Sequence, residues 1–393
     1  MSSGESRRVP FGPRTFHASG WRVAAWALAL VGAACVGGRS PEAATRRPLD
    51  VRFAPLVERL SEPGGYFDTD NLISNERSYL HVVGGLAERN LAGGAYIGVG
   101  PDQNFSYIAA VRPAVAFIVD IRRDNLLQHL LFKALFARSR NRLEYLCLLH
   151  GRPIPEDVDA WGSRSVDELV AYVDSTPATA GATRAAADTV LATVQRFEVP
   201  LSPEDVATLR RFHETFIAAG LDLRFQSFGR APLPHYPTLR QLVLETDRHG
   251  QRAGYLADEA AFRFVQDLQA RDLVIPVVGD FAGDRALAAI GELLARWGLG
   301  VSAFYTSNVE FYLLRSGTFD RFAATVAALP RSDHGVIIRS YFGRNFGFVH
   351  PQAVPGYFSV QLLQPLDAFV ARQATGGYRS YLDLVTHETI DLR

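Results

Sequence analysis

The sequence predicts an α/β domain with a doubly wound, mostly parallel sheet and a helical insertion. Short apolar runs bounded by glycine, proline or acidic residues alternate with helical patterns, as such a sheet requires. Polar residues directly follow several of these runs, which is where open α/β sheets bind their ligands. With 393 residues, 48% of them hydrophobic, the chain can form one large domain with its own core.

Charge and cysteine content argue against several functional classes. The 41 basic and 41 acidic side chains cancel, so no long-range field would attract nucleic acid, and we expect no nucleic-acid partner. Cys35 and Cys147 occur in different contexts, which disfavours a disulfide framework. The ten histidines lack metal-ligand spacing, so no metal site is predicted. Cys147 in an apolar run and His129 on a helix are interpreted as packed residues.

The first 46 residues differ from the rest of the chain. Several arginines precede the apolar run 23–34, which is too short to span roughly 30 Å of hydrocarbon but suits the core of a signal peptide. Small residues then lead into Cys35, which resembles the lipobox at which bacterial lipoproteins are cleaved and acylated. We therefore predict that residues 1–46 are a signal or lipoprotein export segment and tether. Lipidation at Cys35 would anchor the protein to a membrane of the bacterial envelope.

Alternatives to lipoprotein export stay open. In one alternative, the segment is an ordinary signal peptide and Cys35 is an incidental residue in it. In another, translation begins downstream, near Asp50, and the protein is cytoplasmic. The pair Arg7-Arg8 also permits twin-arginine export, although it lies far from the apolar core.

Six apolar runs have the length and composition of buried strands. They are rich in branched and aromatic residues and end at glycine, proline or polar residues, as is typical of strands covered on both faces. The predicted strands are Ala95–Val99, Val115–Asp120, Val274–Val278, Val301–Tyr305, Val336–Ser340 and Tyr357–Leu363.

Helical periodicity fills most of the chain between these runs. It continues without β-branched alternation between the second and third strands, which predicts a helical insertion or cap at residues 143–235. Residues 47–142 and 236–393 would then form the two parts of the α/β domain. The predicted helices are Asn75–Leu91, Phe105–Ala110, one beginning at Asp124, Leu143–Leu149, Val166–Val173, Thr183–Phe197, Pro203–Ala219, Arg285–Trp297 and Phe319–Ala328.

The residues after the first three strands are candidates for binding a nucleoside. Gly98 and Gly100, followed by Asp102, would let backbone amides approach a ligand at the start of the next helix. Asp120 ends the second strand, where an acid can accept ribose hydroxyls, and Asp280 follows the third, where it could hold an adenine amino group. The alternatives are that Asp120 caps a helix or pairs with a neighbouring arginine at 122 or 123, and that Asp280 is a turn residue.

The residues after the fourth strand would face a substrate beside the cofactor. Ser307 and Asn308 supply polar contacts, and Glu310 or Tyr312 could serve as a base or a hydrogen-bonding group. The alternative is that Ser307 and Asn308 cap the helix that begins at Val309.

Long stretches of residues 65–365 resemble a bacterial family of predicted lipoproteins with a methyltransferase-like fold and no established activity. The stretches are NLISNERSYLHVV, GGAYIGVGPDQNFSYIA, AFIVDIRRDNLLQHLLFKALF, IPVVGDFAG and VSAFYTSNVEFYL. The resemblance implies a Rossmann-like architecture of the class I S-adenosylmethionine-dependent methyltransferases. It places Gly98 and Gly100 at the methionine and ribose side, Asp120 on the ribose and Asp280 near the adenine. Tyr96 stands where such enzymes usually carry an acid.

Two functional hypotheses follow, and both expect a nucleoside-type small molecule as partner. In the first, the protein is an S-adenosylmethionine-dependent methyltransferase that works mainly by proximity. In the second, it is a non-catalytic envelope lipoprotein that uses the fold as a binding module. A nicotinamide cofactor competes for the same crevice, but Gln103 stands where the last glycine of G-x-G-x-x-G belongs.

Overall fold

A six-stranded sheet organises the part of the chain that the computed structural model describes, namely Leu49 and residues 51–69, 71–231, 233–343 and 346–392. The predicted export segment with Cys35 lies outside the described residues. Strands β1 to β5 pair in parallel and β6 runs antiparallel to β5, in the spatial order β3-β2-β1-β4-β5-β6. The predicted α/β fold with a mostly parallel sheet is thus confirmed. The strands are β1 Ala95–Gly98, β2 Val115–Asp120, β3 Val274–Val278, β4 Val301–Ser307, β5 Arg331–Tyr341 and β6 Val360–Pro365.

The central strands form where the sequence predicts them. Every residue of β1, β2 and β3 is buried, because helices cover both faces of the sheet and the strands are continuous apolar runs. β5 is longer than predicted: its first residues, Arg331–His334, are polar and largely exposed, so the apolar pattern marks only the later part. β4 likewise continues past Tyr305 to Ser307.

Helices surround the sheet, and none of the described ones is long and apolar enough to cross a membrane. Short 3-10 turns also occur at Arg77–Val82, Val158–Ser163 and Gly220–Asp222. The helices are α1 Phe53–Leu60, α2 Val83–Ala87, α3 Gln103–Val111, α4 Arg123–Arg138, α5 Arg142–His150, α6 Val166–Ser175, α7 Ala180–Gln195, α8 Pro203–Ala219, α9 Leu239–Val243, α10 Glu259–Ala270, α11 Ala286–Trp297, α12 Val309–Ser316, α13 Phe319–Ala328, α14 Leu366–Ala374 and α15 Tyr381–Thr386.

The single helix predicted over Asn75–Leu91 is wrong. A 3-10 turn and the short α2 replace it. Gly84 and Gly85 lower the helix propensity there, and Gly85 allows close packing, because a Cβ on it would lie 2.5 Å from Leu392 Cδ2. The irregular start of this segment leaves Glu76 outside any helix.

The chain between β2 and β3 is mainly helical. Within residues 143–231 and 233–235, no described residue belongs to the six-stranded sheet; Arg224 and Ser227 form only isolated bridges. Capping boxes at Ser165 and Ser202 begin α6 and α8, and Pro203 occupies the first turn of α8. α7 and α8 pack against α4, which follows β2. The helical segment therefore flanks the sheet rather than extending it.

Candidate functional site

A crevice opens at the carboxyl ends of the first four strands. Its volume of about 1060 Å³ is at the upper end of the roughly 300–1,000 Å³ typical of ligand pockets. It lies around β1 and β4, where the strand order reverses, and open α/β sheets bind their ligands at such switch points. The loops that line it are Val99–Pro101 after β1, Asp120–Arg122 after β2, Gly279–Phe281 after β3 and Ser307–Val309 after β4.

The structure brings most of the predicted ligand residues to this crevice. The ones that line it are Gly100, Asp120, Asp280, Ser307, Asn308 and Tyr312. Gly98, Asp102 and Glu310 are not among the lining residues. Ligand binding and catalysis by the first group stay predictions, whereas the second group serves other purposes.

Asn104 of α3 holds the loop after β1. Its Nδ2 donates to the carbonyl oxygens of Val99 at 2.9 Å and Pro101 at 2.7 Å, and lies 3.3 Å from that of Gly100. Its Oδ1 accepts a 2.7 Å hydrogen bond from the hydroxyl of Tyr96. Tyr96, at the position of the acid usual in the resembling enzymes, therefore orients the amide that orients the loop.

The two glycines of this loop have different roles. A Cβ on Gly98 would lie 2.1 Å from Asn104 Oδ1 and 2.7 Å from the Tyr96 hydroxyl, so Gly98 allows packing behind the loop rather than ligand contact. Gly100 has a φ of +83°, which disfavours any residue with a side chain, and a Cβ there would face open space. Gly100 itself is buried, and it borders the crevice on the side where its side chain would be.

Buried side chains of α4 fix the same loop from the other side. The carbonyl oxygen of Gly100 accepts hydrogen bonds of 2.9 Å from Asn125 Nδ2 and from His129 Nε2. Burial lowers the pKa of His129 to about 4, so the ring is neutral at pH 7 and Nε2 carries the hydrogen. His129 is a packed residue, as predicted, and its polar contact positions the loop.

Asp120 faces the crevice, but its carboxylate is already bound by Arg122. Arg122 donates from Nε to Oδ1 at 3.0 Å, from Nη2 to Oδ2 at 2.8 Å, and from its backbone N–H to Oδ1 at 3.0 Å. Both side chains are buried, and Nη1 donates to the carbonyl oxygen of Thr69. The alternative that the sequence left open, an Asp120–Arg122 pair, is thus present. A ribose hydroxyl would have to use the remaining lone pairs of Oδ2.

Asp280 is partly buried and closes a turn. Its Oδ1 accepts a 2.9 Å hydrogen bond from the backbone N–H of Ala282. The Glu62 carboxylate, which sequence reasoning missed, accepts hydrogen bonds from the backbone N–H groups of Asp280 at 3.3 Å, Arg285 at 2.9 Å and Ala286 at 2.6 Å. Glu62 therefore fixes the loop that carries Asp280 and caps the start of α11.

The placement of Asp102 corrects the predicted cofactor-binding set. It lies outside the crevice and lines a separate cavity of about 20 Å³ with Tyr79 and Tyr255. Its Oδ2 accepts a 3.1 Å hydrogen bond from the Tyr255 hydroxyl, and burial raises the pKa of Asp102 to about 6. Its chain neighbours Pro101 and Gln103 line the crevice, whereas the side chain of Asp102 does not.

The position of Glu310 does not agree with its predicted catalytic role, because it does not line the crevice. Its side chain is 0% exposed and accepts hydrogen bonds from Arg339 Nε at 2.6 Å and from the Thr306 hydroxyl at 3.1 Å. Arg339 is itself 1% exposed. Glu310 lies in the first turn of α12, and the helical turn directs its side chain inward, away from the crevice that its neighbour Val309 lines.

The other predicted residues after β4 do face the crevice. Ser307 has a φ of +53° and donates a hydrogen bond to Glu76 rather than capping α12. Asn308 precedes α12 without a side-chain capping bond. Tyr312, 38% exposed, packs edge-on against Phe67 with ring centroids 5.1 Å apart. The capping alternative is therefore not observed.

Glu76 is a crevice residue that sequence reasoning missed. It is 1% exposed yet lines the crevice. Its Oε2 accepts hydrogen bonds from Tyr305 Oη at 2.6 Å and Gln361 Nε2 at 2.9 Å, and its Oε1 accepts one from Ser307. Gln103 Nε2 donates to Tyr305 Oη at 2.8 Å, which links the start of α3 to β4. Burial and the Glu76 carboxylate raise the pKa of Tyr305 well above its usual range, so this hydroxyl stays a donor.

Residues 66–76 and 225–236 contribute further walls. They contact each other: Thr69 and Ser227 form an antiparallel bridge, and Arg230 Nη2 donates to Asp68 Oδ2 at 2.6 Å. Exposed apolar side chains also line the crevice, with Tyr66 77%, Leu233 44% and Tyr312 38% exposed. The accessible part of the crevice is therefore aromatic and apolar, whereas the strand tips are polar.

Neither metal chemistry nor a reactive thiol finds support in the geometry. Within the described ranges, no group of three or more His, Cys, Asp or Glu side chains is placed to hold a metal ion. Cys147 is buried, and burial raises the pKa of its thiol to about 12. It is a packed residue of α5.

The fold and the crevice define an α/β protein with a ligand-sized cleft at the switch point of a mostly parallel sheet. The chain belongs to the family described as Domain of unknown function (DUF7790), which residues 72–156 and 222–390 match. The comparison with curated proteins found no match. The matched residues contain all six strands and Glu76, whereas the unmatched residues 157–221 contain α6, α7 and α8.

Proposed function

We propose that the crevice binds a nucleoside-type small molecule and that S-adenosylmethionine is the ligand it suits best. The observation that carries this proposal is the convergence of the loops after β1, β2, β3 and β4 on one cavity at the switch point. Gly100 borders this cavity, and Asp120 and Asp280 supply carboxylates further along. A volume of about 1060 Å³ is ample for a nucleoside with an amino-acid arm.

The strand order supports a Rossmann-like, methyltransferase-like architecture. The order 3-2-1-4-5-6 is typical of Rossmann sheets, and an antiparallel edge strand such as β6 is common in large mixed sheets. Gly100, Asp120 and Asp280 follow β1, β2 and β3, which are consecutive neighbours. This arrangement agrees with a ligand that runs from its amino-acid arm at β1 to its adenine at β3.

Methyl transfer is the activity that this ligand would support. When bound, it supplies an electrophilic methyl group whose transfer breaks a C–S bond and leaves the electron pair on sulfur. The residues of the chain would align the acceptor, and Ser307, Asn308 and Tyr312 lie in the crevice beside β4 for that purpose. Burial and the nearby Asp68 raise the pKa of Tyr312, which makes it a hydrogen-bond donor rather than a base.

One observation favours a second candidate, a binding module without catalysis. Glu310 is buried against Arg339, and the hydroxyl of Tyr312 stays protonated, so neither predicted catalytic residue offers a base to the crevice. The protein would then be an envelope lipoprotein, anchored through Cys35, that holds a nucleoside-type ligand.

Isothermal titration tests ligand binding. Residues 49–393, which form a compact unit, are titrated with S-adenosylmethionine and with S-adenosylhomocysteine. We expect one site with a Kd on the order of 10 μM or tighter. Asp280→Asn should weaken binding about tenfold, because it removes a charge-assisted contact worth roughly 1.4 kcal/mol or more without breaking a buried ion pair. The matched control Asp159→Asn neutralises an exposed acid outside the crevice. If neither compound binds, the proposed function is wrong.

The export part of the proposal has its own test. Cys35→Ala should move the protein from the membrane to the soluble fraction, because a diacylglyceryl anchor supplies most of the membrane affinity. The balanced charge of the chain offers no substitute attraction. Full-length protein recovered from the cytoplasm with Met1 intact would exclude lipidation and favour the methyltransferase hypothesis.

A further inference from the structure

We propose that Glu76 is the counter-ion for a positively charged group of the ligand, an ammonium or a sulfonium. The inference rests on the proposed function, because it names the chemistry of the ligand at one end of the same crevice. Three features of Glu76 carry it: its position, its hydrogen-bond partners and its lack of a basic partner.

Glu76 lies beside the carboxyl end of β4, where it contacts Tyr305 and Ser307. It lines the crevice together with Gly100 and Gln103 from the β1 side and Tyr305 and Ser307 from the β4 side. With 1% exposure, the carboxylate is shielded from bulk water and still borders the cavity. A ligand group that reaches it would therefore meet a charge that water screens little.

The hydrogen-bond partners of Glu76 are all neutral donors. Tyr305 Oη and Gln361 Nε2 donate to Oε2 at 2.6 and 2.9 Å, and Ser307 donates to Oε1. A carboxylate is an acceptor and can receive all three of these donors. These bonds fix the direction of the carboxylate and leave its charge uncompensated.

The lack of a basic partner distinguishes Glu76 from the other almost fully buried carboxylates of the described chain. Each of those pairs with an arginine, which is the usual way of burying a charge. The pairs are Asp120–Arg122, Glu144–Arg140, Asp205–Arg123, Glu245–Arg77 and Glu310–Arg339, with N–O distances between 2.6 and 2.9 Å. Among the described residues, no Lys, Arg or His lies within ion-pair distance of Glu76.

The basic residues of the crevice are engaged elsewhere. Arg122 binds Asp120 and Arg230 binds Asp68. The guanidinium of Arg315 lies over the ring of Phe311 at 5.5 Å from its centroid, and the ring of His235 stacks on that of Phe358 with centroids 3.6 Å apart. The crevice thus presents one buried, oriented and unpaired carboxylate at its β1/β4 end. A cationic group completes it, whereas a neutral or phosphorylated group does not.

The test distinguishes binding of the cationic group from binding of the nucleoside. The full chain, purified in detergent, is titrated with S-adenosylmethionine, S-adenosylhomocysteine, neutral 5′-methylthioadenosine, and S-methylmethionine, which carries both cations without a nucleoside. The first two ligands distinguish the sulfonium from the ammonium. The variants are Glu76→Gln, which removes the charge at nearly constant shape, and Glu58→Gln, which removes an exposed acid outside the crevice.

The expected result is that Glu76→Gln weakens S-adenosylmethionine at least tenfold, leaves 5′-methylthioadenosine within twofold, and leaves the thermal midpoint nearly unchanged; S-adenosylhomocysteine is weakened as well if the ammonium is the group that Glu76 meets. Equal loss for neutral and cationic ligands, or no loss, overturns the role of Glu76 while the nucleoside site stands. Binding of S-methylmethionine alone, lost in Glu76→Gln, overturns the nucleoside but supports the cation site. If Glu76→Gln does not fold, the wild type still decides: 5′-methylthioadenosine binding as tightly as S-adenosylmethionine rejects the inference.

Discussion

The hydroxyl of Tyr96 lies 2.7 Å from Oδ1 of Asn104, and this contact connects β1 to the loop that opens the crevice. Because Tyr96 donates to the amide oxygen, the amide nitrogen of Asn104 must face the loop, where it binds two main-chain carbonyl oxygens at 2.9 Å or less. A buried tyrosine thus orients the amide that holds the loop after β1.

Removing this hydroxyl should loosen the loop. Tyr96→Phe leaves Oδ1 of Asn104 without its donor in a buried site, so we expect a loss of about 1–3 kcal/mol in the free energy of unfolding. Ligand affinity should fall several-fold with it. Urea unfolding and titration measure both. The control is Tyr107→Phe, since the buried Tyr107 hydroxyl has no hydrogen-bond partner among the described residues and should be dispensable. Equal effects in both variants would contradict the role of Tyr96.

Alanine substitutions at two glycines with the same backbone conformation can distinguish the effect of backbone strain from the effect of lost ligand contact. Gly100 and Gly93 have φ of +83° and +82°, and a Cβ would meet nothing within 4 Å at either. Alanine at each should therefore cost a similar amount, about 1–3 kcal/mol of backbone strain. Only Gly100 lines the crevice, so only Gly100→Ala should weaken the ligand, by tenfold or more. Unimpaired binding in Gly100→Ala would show that the ligand does not approach this loop.

The buried pair Glu310–Arg339 should matter for stability and not for ligand binding. Glu310→Gln leaves the guanidinium of Arg339 without a counter-charge at 1% exposure, and breaking a buried pair costs about 3–5 kcal/mol. The double variant Glu310→Leu/Arg339→Met should recover much of this loss, because it removes both charges. Chemical unfolding of the single and double variants measures the coupling. If the Glu310→Gln protein is stable but binds ligand poorly, the prediction is wrong and Glu310 contributes to ligand binding.

Stability should decline as the pH is lowered from about 6.5 toward 4. Burial lowers the pKa of His81, His129 and His150 to about 4 each, whereas unfolded histidine titrates near 6.5. Between these values the unfolded chain binds protons that the folded chain does not, so acid favours unfolding. Asp102, with a pKa of about 6, opposes this over part of the range. His150→Gln should flatten the slope by up to about 1.4 kcal/mol per pH unit; an unchanged slope in urea melts would contradict this.

The sequence predicts the strands well where one interaction dominates. β2 and β3 have the predicted bounds because helices cover both of their faces. Every residue in them must therefore be apolar or, at the end of the strand, a polar residue with a hydrogen-bond partner. α8 and α13 also begin and end as predicted, since a clear amphipathic period and terminal signals agree there. The positions of the strand tips then follow from the parallel order.

The sequence does not predict which polar residues face the crevice. Glu76 meets Tyr305 and Ser307 across 229 and 231 positions of the chain, and no local pattern reports such contacts. Glu310 follows β4 as the sequence predicts, but its position in the first turn of α12 directs the side chain to Arg339 instead of the crevice. The partner of a buried charge is determined by the tertiary structure. The sequence shows only that residues able to pair with it are present in the chain.

The carboxylate of Glu62 has a consequence for anion binding at the start of α11. Free N–H groups at a helix start attract phosphate, but at α11 the amides of Arg285 and Ala286 are already bound by Glu62 at 2.9 and 2.6 Å. A phosphate arriving beside Asp280 would meet negative charge where it needs donors. The protein thus supplies its own anion at the start of α11, and these two N–H groups are not available to a phosphate.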